Sequence, residues 1–125
     1  MQYNTNFNDV LNKSPIALSE WLLQEFSVQI PQVVVTPDDM KLASETLLKL
    51  ASIYSYVMAL SSYAKLKTRE AKRYLSKEEH EDMVDRKEVL ENFTKAVQQS
   101  YAAVSRAVTI YIENNNELKM GRGVS

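Results

Sequence analysis

The sequence predicts an all-α protein: two long helices folded into an antiparallel hairpin, preceded by an arm with a short helix, the copies assembling into a helical oligomer. Three observations carry this expectation. Both glycines, Gly121 and Gly123, stand in the last five residues, and the last of the three prolines is Pro37. Residues 38–120 therefore hold no helix breaker, and their apolar residues recur at helical spacing throughout. One compact helix cannot use so long a run, so a hairpin follows, with little core of its own and a need for neighbours.

The elements follow in order. Residues 1–35 read as an arm and residues 36–125 as the hairpin with a short tail. Residues 1–13 contain four Asn and no clear period. Ser14 then offers an N-cap with Pro15 at the first helical position, and Ile16, Leu18, Trp21, Leu22, Leu23 and Phe26 form a broad apolar stripe. Pro31 stops this helix, leaving residues 32–35 as an extended connector or short strand. Trp21 and Phe26 read as packing contacts with the hairpin or a neighbouring subunit.

Thr36, Pro37, Asp38 and Asp39 form the clearest helix start: a capping Thr, proline at the first position and acids where the helix dipole favours them. Ala43, Leu47, Leu50, Tyr54, Val57, Ser61, Ala64, Thr68, Ala71 and Leu75 then keep the alternating four-and-three spacing of a coiled-coil seam. Continued to Leu75, this helix is about 60 Å long at 1.5 Å per residue. The small residues Ser61, Ala64, Thr68 and Ala71 either admit a partner helix closely or mark a half that faces something polar. The bend is expected near residues 75–78, where Ser76 precedes acids. In the last helix Met83, Leu90, Val97, Val104, Tyr111 and Leu118 recur at seven-residue intervals, and Gly121, Arg122 and Gly123 are expected to end it.

Composition narrows the function classes. A 125-residue chain that is 45% hydrophobic is one folded domain by length, and without cysteine it has no disulfide or thiolate site. No export signal or membrane span is legible, so a soluble protein of the cytoplasm is expected. Fifteen basic against 16 acidic residues leave no global field, so any polyanion binding must be local.

Catalysis has little to stand on. His80, the only histidine, lies among Glu79, Glu81, Asp82 and Asp85, but consecutive helical residues diverge, so a solvated helix start is expected there and no metal or cofactor. There is no glycine-rich phosphate loop and no activated nucleophile, so no enzyme is expected. Charge says more. Lys65, Lys67, Arg69, Lys72, Arg73 and Lys77 fall within 13 residues interrupted by one acid, Glu70, and Tyr63 and Tyr74 bracket them. Lys65, Arg69, Lys72 and Arg73 share one helix face by their spacing. Such a stripe suits single-stranded nucleic acid, phosphates on the charges and bases on the rings; on spacing alone a solvated face, or one salt-bridged to the acids of residues 78–85, is the commoner arrangement.

The segment Leu66, Lys67, Thr68, Arg69, followed by Tyr74, Leu75 and Ser76, resembles the basic and aromatic motif of UvsY-like recombination mediators of tailed phages. Residues 38–45, Tyr54 to Tyr56, residues 87–90, and Glu117 to Met120 with a terminal glycine resemble further pieces of that family in the same order, over about residues 36–123. Leu75, Lys77 and Leu118 stand where the family has tyrosine, glycine and tryptophan. The resemblance implies a helical homo-oligomer that binds single-stranded DNA and helps load a recombinase onto strands covered by single-strand-binding protein. It assigns phosphate contacts to Lys67 and Arg69, a longer path to Lys65, Lys72 and Arg73, stacking to Tyr74, and minor additions to Arg106 and Arg122. Leu90, Val97, Tyr101, Val104 and Val108 are expected to bury against neighbouring copies. Two other classes stay open: a phage structural or assembly protein that forms a ring without touching DNA, and a small adaptor or inhibitor that presents Trp21 and Phe26 to a protein partner.

Overall fold

The structure is a computed structural model that describes residues 3–124 and the side chains of residues 3–116. Every regular element among the described residues is a helix: α1 (Phe7–Leu11), α2 (Pro15–Glu25), α3 (Pro37–Tyr74) and α4 (Lys77–Val124). The expected all-α hairpin is the observed architecture, with α3 and α4 joined by Leu75 and Ser76 alone and packed together with the N-terminal helices.

Local chemistry sets each start. The Asn6 side chain accepts from the Asp9 amide at 3.4 Å and Ser14 Oγ from the Ala17 amide at 3.2 Å, with Pro15 in the first turn of α2. At α3 the cap is reciprocal. Thr36 Oγ1 accepts from the Asp39 amide at 3.1 Å, and the Asp39 carboxylate accepts from the amides of Thr36 at 3.1 Å and Val35 at 3.0 Å. Those two backbone donors hold the Asp39 carboxyl below its ordinary value of 3.8. Ser76 Oγ caps α4 through the Glu79 amide at 3.2 Å, which puts the bend where the sequence places it.

Three expectations change. Helix α1 occupies part of the arm that shows no period, because five residues are too few to display one. The connector reading holds for residues 28–36, which form neither helix nor strand and leave Val33 and Val35 exposed. The apolar stripe of α2 is narrower than expected: Leu18, Leu22 and Phe26 are buried and Trp21 half-buried, whereas Ile16 and Leu23 point to solvent. Gly121 and Gly123 do not end α4, whose backbone stays helical to Val124 with no glycine at positive φ. Glycine permits a left-handed stop but does not impose one, at a cost of about 1 kcal/mol relative to alanine within a helix. The expectations for the Leu118 and Arg122 side chains lie outside the described residues.

By its internal contacts the chain divides into two compact units. The first joins Met1–Ser27 to Ser52–Val97 and holds most of the apolar core. Val10, Leu11, Leu18 and Leu22 are buried there along with Ile53, Val57, Leu60, Leu90 and Val97. Ser61, Ala64, Thr68 and Ala71 are buried too, which decides for close helix approach over a polar face. Thr68 Oγ1 lies 2.7 Å from the Ala64 carbonyl of its own helix and 3.5 Å from the Met83 carbonyl of α4.

Aromatic rings fasten the arm within this unit. Phe26 sits 5.5 Å from Tyr3, 5.6 Å from Trp21, 5.5 Å from Tyr56 and 6.1 Å from Phe93, centroid to centroid. Phe7 lies between Tyr56 at 5.8 Å and Tyr63 at 5.6 Å. Each such pair contributes about 0.5–1.5 kcal/mol beyond area burial. Polar contacts add direction: Tyr56 OH donates to the Asn4 carbonyl at 2.6 Å, Tyr63 OH to Asn8 Oδ1 at 2.6 Å, and Arg86 Nε to the Lys13 carbonyl at 2.8 Å.

The second unit joins Val28–Ala51 to Gln98–Ser125. Its core is thin: among its described residues the buried apolar side chains are Ala43, Leu50 and Val104, with Thr46 buried beside them. Leu42, Leu48, Tyr101, Ile110 and Ile112 are exposed.

Leu90→Ala should lower unfolding free energy by about 2–5 kcal/mol, whereas Leu48→Ala should stay within about 0.5 kcal/mol of the parent, both read by urea denaturation. At the α3 cap, Thr36→Ala should cost about 1 kcal/mol. Because the Asp39 carboxyl is held low, its contribution is present above pH 3.8 and lost as pH falls through the depressed value. Thermal melts from about pH 5 to pH 2 should therefore show a shallower acid decline for Asp39→Asn than for the parent.

Candidate nucleic-acid interface

The six residues expected to meet DNA all lie in the first unit, on or beside the last turns of α3. A helix turns about 100° per residue, so position around the axis follows from number alone. The buried line is Val57, Ser61, Ala64, Thr68 and Ala71. Lys65, Arg69 and Lys72 fall within about 60° of one another beside it, and Arg73 lies about 40° further round. All four are exposed, and none makes an ion pair among the described residues. Their face carries no acid. Met58 and Leu66, 41% and 57% exposed, supply apolar surface next to the cations.

Lys67 and Tyr74 do not belong to this face. They lie about 160° and 180° around the helix from Lys65. Lys67 Nζ is 3.3 Å from Glu70 Oε2 and 5.5 Å from the centre of the Tyr63 ring. The Glu70 carboxylate, helped by Tyr63, holds the Lys67 ammonium above the usual lysine value. Tyr63 is tied to Asn8 and Phe7, so one bracketing tyrosine is a structural contact. Tyr74 is 79% exposed, but on the flank away from the cations. The two tyrosines that bracket the basic run, two residues before Lys65 and nine after it, both fall on the far side of the helix from the cations.

The acids after the bend stay apart from the basic face. Glu78, Glu81, Asp85 and Glu88 are exposed and form no ion pair among the described residues. Their spacing of three, four and three makes a second, acidic stripe on the solvent side of α4. The run of residues 78–85 is visible in the sequence; Glu88, its fourth member by periodicity, was not singled out.

Of the residues expected at a subunit contact, Leu90, Val97 and Val104 are buried within the chain's own units. The intrachain seam has used them. Tyr101, 42% exposed, and half-buried Val108 remain accessible, and Arg106 is exposed.

A cleft of about 220 Å³ lies among Leu11, Asn12, Leu75, Glu79, Asp82, Met83 and Arg86. It is smaller than the ~300 Å³ at which ordinary ligand pockets begin, and Arg86 in its wall is committed to the Lys13 carbonyl. Among the described residues, no three His, Cys, Asp or Glu side chains converge as metal ligands, and no helix is long and apolar enough to cross a membrane. Comparison with known proteins finds no family model, no curated protein and no solved structure that matches the chain. Sequence pattern and geometry alone bear on its function.

Tyr56 gives a test of the arm's attachment. Burial, with the Glu25 charge second, pushes its phenol above the ordinary value of 10.0. The folded state thus holds this proton more tightly, a contribution present below pH 10 and lost as pH rises through the raised value. Tyr56→Phe should cost about 1 kcal/mol at neutral pH for the missing hydrogen bond, and should flatten the decline in urea stability above pH 10.

Proposed function

We propose that this protein binds single-stranded DNA on the outward face of α3 and acts as a recombination mediator of the UvsY-like kind. In this role a homo-oligomer loads a recombinase onto strands covered by single-strand-binding protein. One observation carries the reading: Lys65, Arg69, Lys72 and Arg73 share an exposed face that no carboxylate of the chain neutralises among the described residues. Cations left unpaired in this way are surrounded by small counterions that a phosphate backbone displaces, and the release favours binding.

The same geometry sets the chemistry of binding. With Tyr63 structural and Tyr74 on the other flank, charge dominates and base stacking contributes little on this face. The contact is thus tolerant of base sequence and steep in salt. Four cations make a weak site alone. Repetition around an oligomer turns it into a track, and avidity multiplies the single-site affinity. The exposed apolar residues of the second unit, Tyr101, Ile110 and Ile112 among them, favour such association.

The combined variant Lys65→Ala, Arg69→Ala, Lys72→Ala should bind a fluorescent single-stranded oligonucleotide at least tenfold more weakly than the parent. Its log-affinity against log-salt slope should be shallower by roughly 2, at about 0.7 for each phosphate that is no longer neutralised. Lys67→Ala, already paired with Glu70, should cost far less. Equal affinity of the triple variant and the parent by anisotropy would sink the DNA reading and favour a purely structural assembly.

A further inference from the structure

Two exposed stripes of opposite sign lie on either side of one bend, and neither is satisfied within the chain among the described residues. Lys65, Arg69, Lys72 and Arg73 line the outward face of α3, and Glu78, Glu81, Asp85 and Glu88 line that of α4. Lys67 and Glu70 form an ion pair away from the basic face, so the helix can close such a pair where geometry allows. The stripes have comparable length: eight steps along the helix from Lys65 to Arg73 and ten from Glu78 to Glu88, roughly 12 and 15 Å at 1.5 Å per step. The whole chain is close to neutral, with a formal net charge of −1, so no overall repulsion keeps copies apart.

We infer that the acidic stripe of one copy docks on the basic stripe of a second copy of this chain. Charge complementarity selects that occupant: each copy carries both halves, so a two-fold pairing of bends makes the contact twice. Exposed ion pairs are individually weak and screened by salt, so the docking is reversible and fades as ionic strength rises. The docking stands on the charges alone. Its consequence rests on the DNA reading above: a strand of phosphates and the neighbour's carboxylates compete for the same cations, so the acidic stripe holds the basic face closed until a longer polyanion displaces it.

The experiment uses the full-length chain in sedimentation velocity at about 20 and about 500 mM NaCl, with circular dichroism to verify folding. Two charge-reversed variants are compared with the parent: Glu81→Lys, Asp85→Lys, Glu88→Lys on one, and Lys65→Glu, Arg69→Glu, Lys72→Glu on the other. Each alone should lose the salt-sensitive part of self-association, and an equimolar mixture should regain it. The neutral set Glu81→Gln, Asp85→Gln, Glu88→Gln, which adds no repulsion, should lose it too. At low salt this neutral set should also bind a single-stranded oligonucleotide several-fold more tightly than the parent. Salt-insensitive association in the parent, or a mixture that fails to regain it, overturns the docking whatever the DNA result. Restored association without DNA binding by any form leaves the docking standing and overturns the function proposed above.

Discussion

The closeness of α3 to α4 along a line of small residues is the constraint from which the rest follows. Ser61, Ala64, Thr68 and Ala71 are all buried, and the Thr68 hydroxyl comes to 3.5 Å from a carbonyl of the opposite helix. Larger side chains at these four positions would hold the helices apart, and the hydroxyls of a seam so narrow must find carbonyls. Thr68 does so through Ala64, and Thr94 likewise through Leu90 at 2.7 Å. With the inner face fixed in this way, three-and-four spacing dictates which residues turn outward. The grouping of Lys65, Arg69 and Lys72 is a corollary of burying Ala64, Thr68 and Ala71.

A line of small residues buries little area, and that shortage explains the arm. Alanine and serine contribute less apolar surface than leucine, so the first unit needs another source of burial. Phe26, Tyr3 and Phe7 supply it, meeting Tyr56, Tyr63 and Phe93 of the long helices, and Trp21 packs on Phe26. The arm is thus part of the core of this unit. Trp21 and Phe26 read in the sequence as packing residues, and the distances bear that out for Phe26 most fully. The adaptor alternative, which requires both rings to be presented outward, finds Phe26 only 6% exposed.

The hairpin was legible because its signals are dense and repeated: no breaker over residues 38–120, the Thr36 and Ser76 caps, and a seam whose small members from Ser61 to Ala71 are all buried. Single-turn features were not. Helix α1 is too short for periodicity, and the glycines near the end of α4 carry a stop signal that the backbone does not take. At the candidate site, the four-cation face was readable by spacing. Lys67 stands off that face because a motif of consecutive residues ignores the 100° step between neighbours, and the burial of Leu90, Val97 and Val104 inside the chain was not legible because a heptad pattern states that a partner exists without saying whether it is the same chain.

A neutral protein can still present a strong local field if its charges are sorted rather than mixed. From residue 46 to residue 69 there is no acid at all, while Glu78 to Glu88 holds six. Sorting of this kind carries a cost, since like charges at three-and-four spacing repel along each helix by a few tenths of a kcal/mol per pair. Interleaving the two signs would remove that repulsion and support both helices, as the Lys67–Glu70 pair does locally. The helix dipole accounts for part of the segregation, since it favours Lys72 and Arg73 in the last turn of α3 and Glu78 and Glu79 in the first turn of α4; Lys65, Arg69, Asp85 and Glu88 lie beyond those turns, and a body of opposite charge, either of the two proposed above, would account for them. The two differ in reach: a polyanion neutralises one stripe and leaves the carboxylates of α4 facing water, whereas a second copy satisfies both stripes at once.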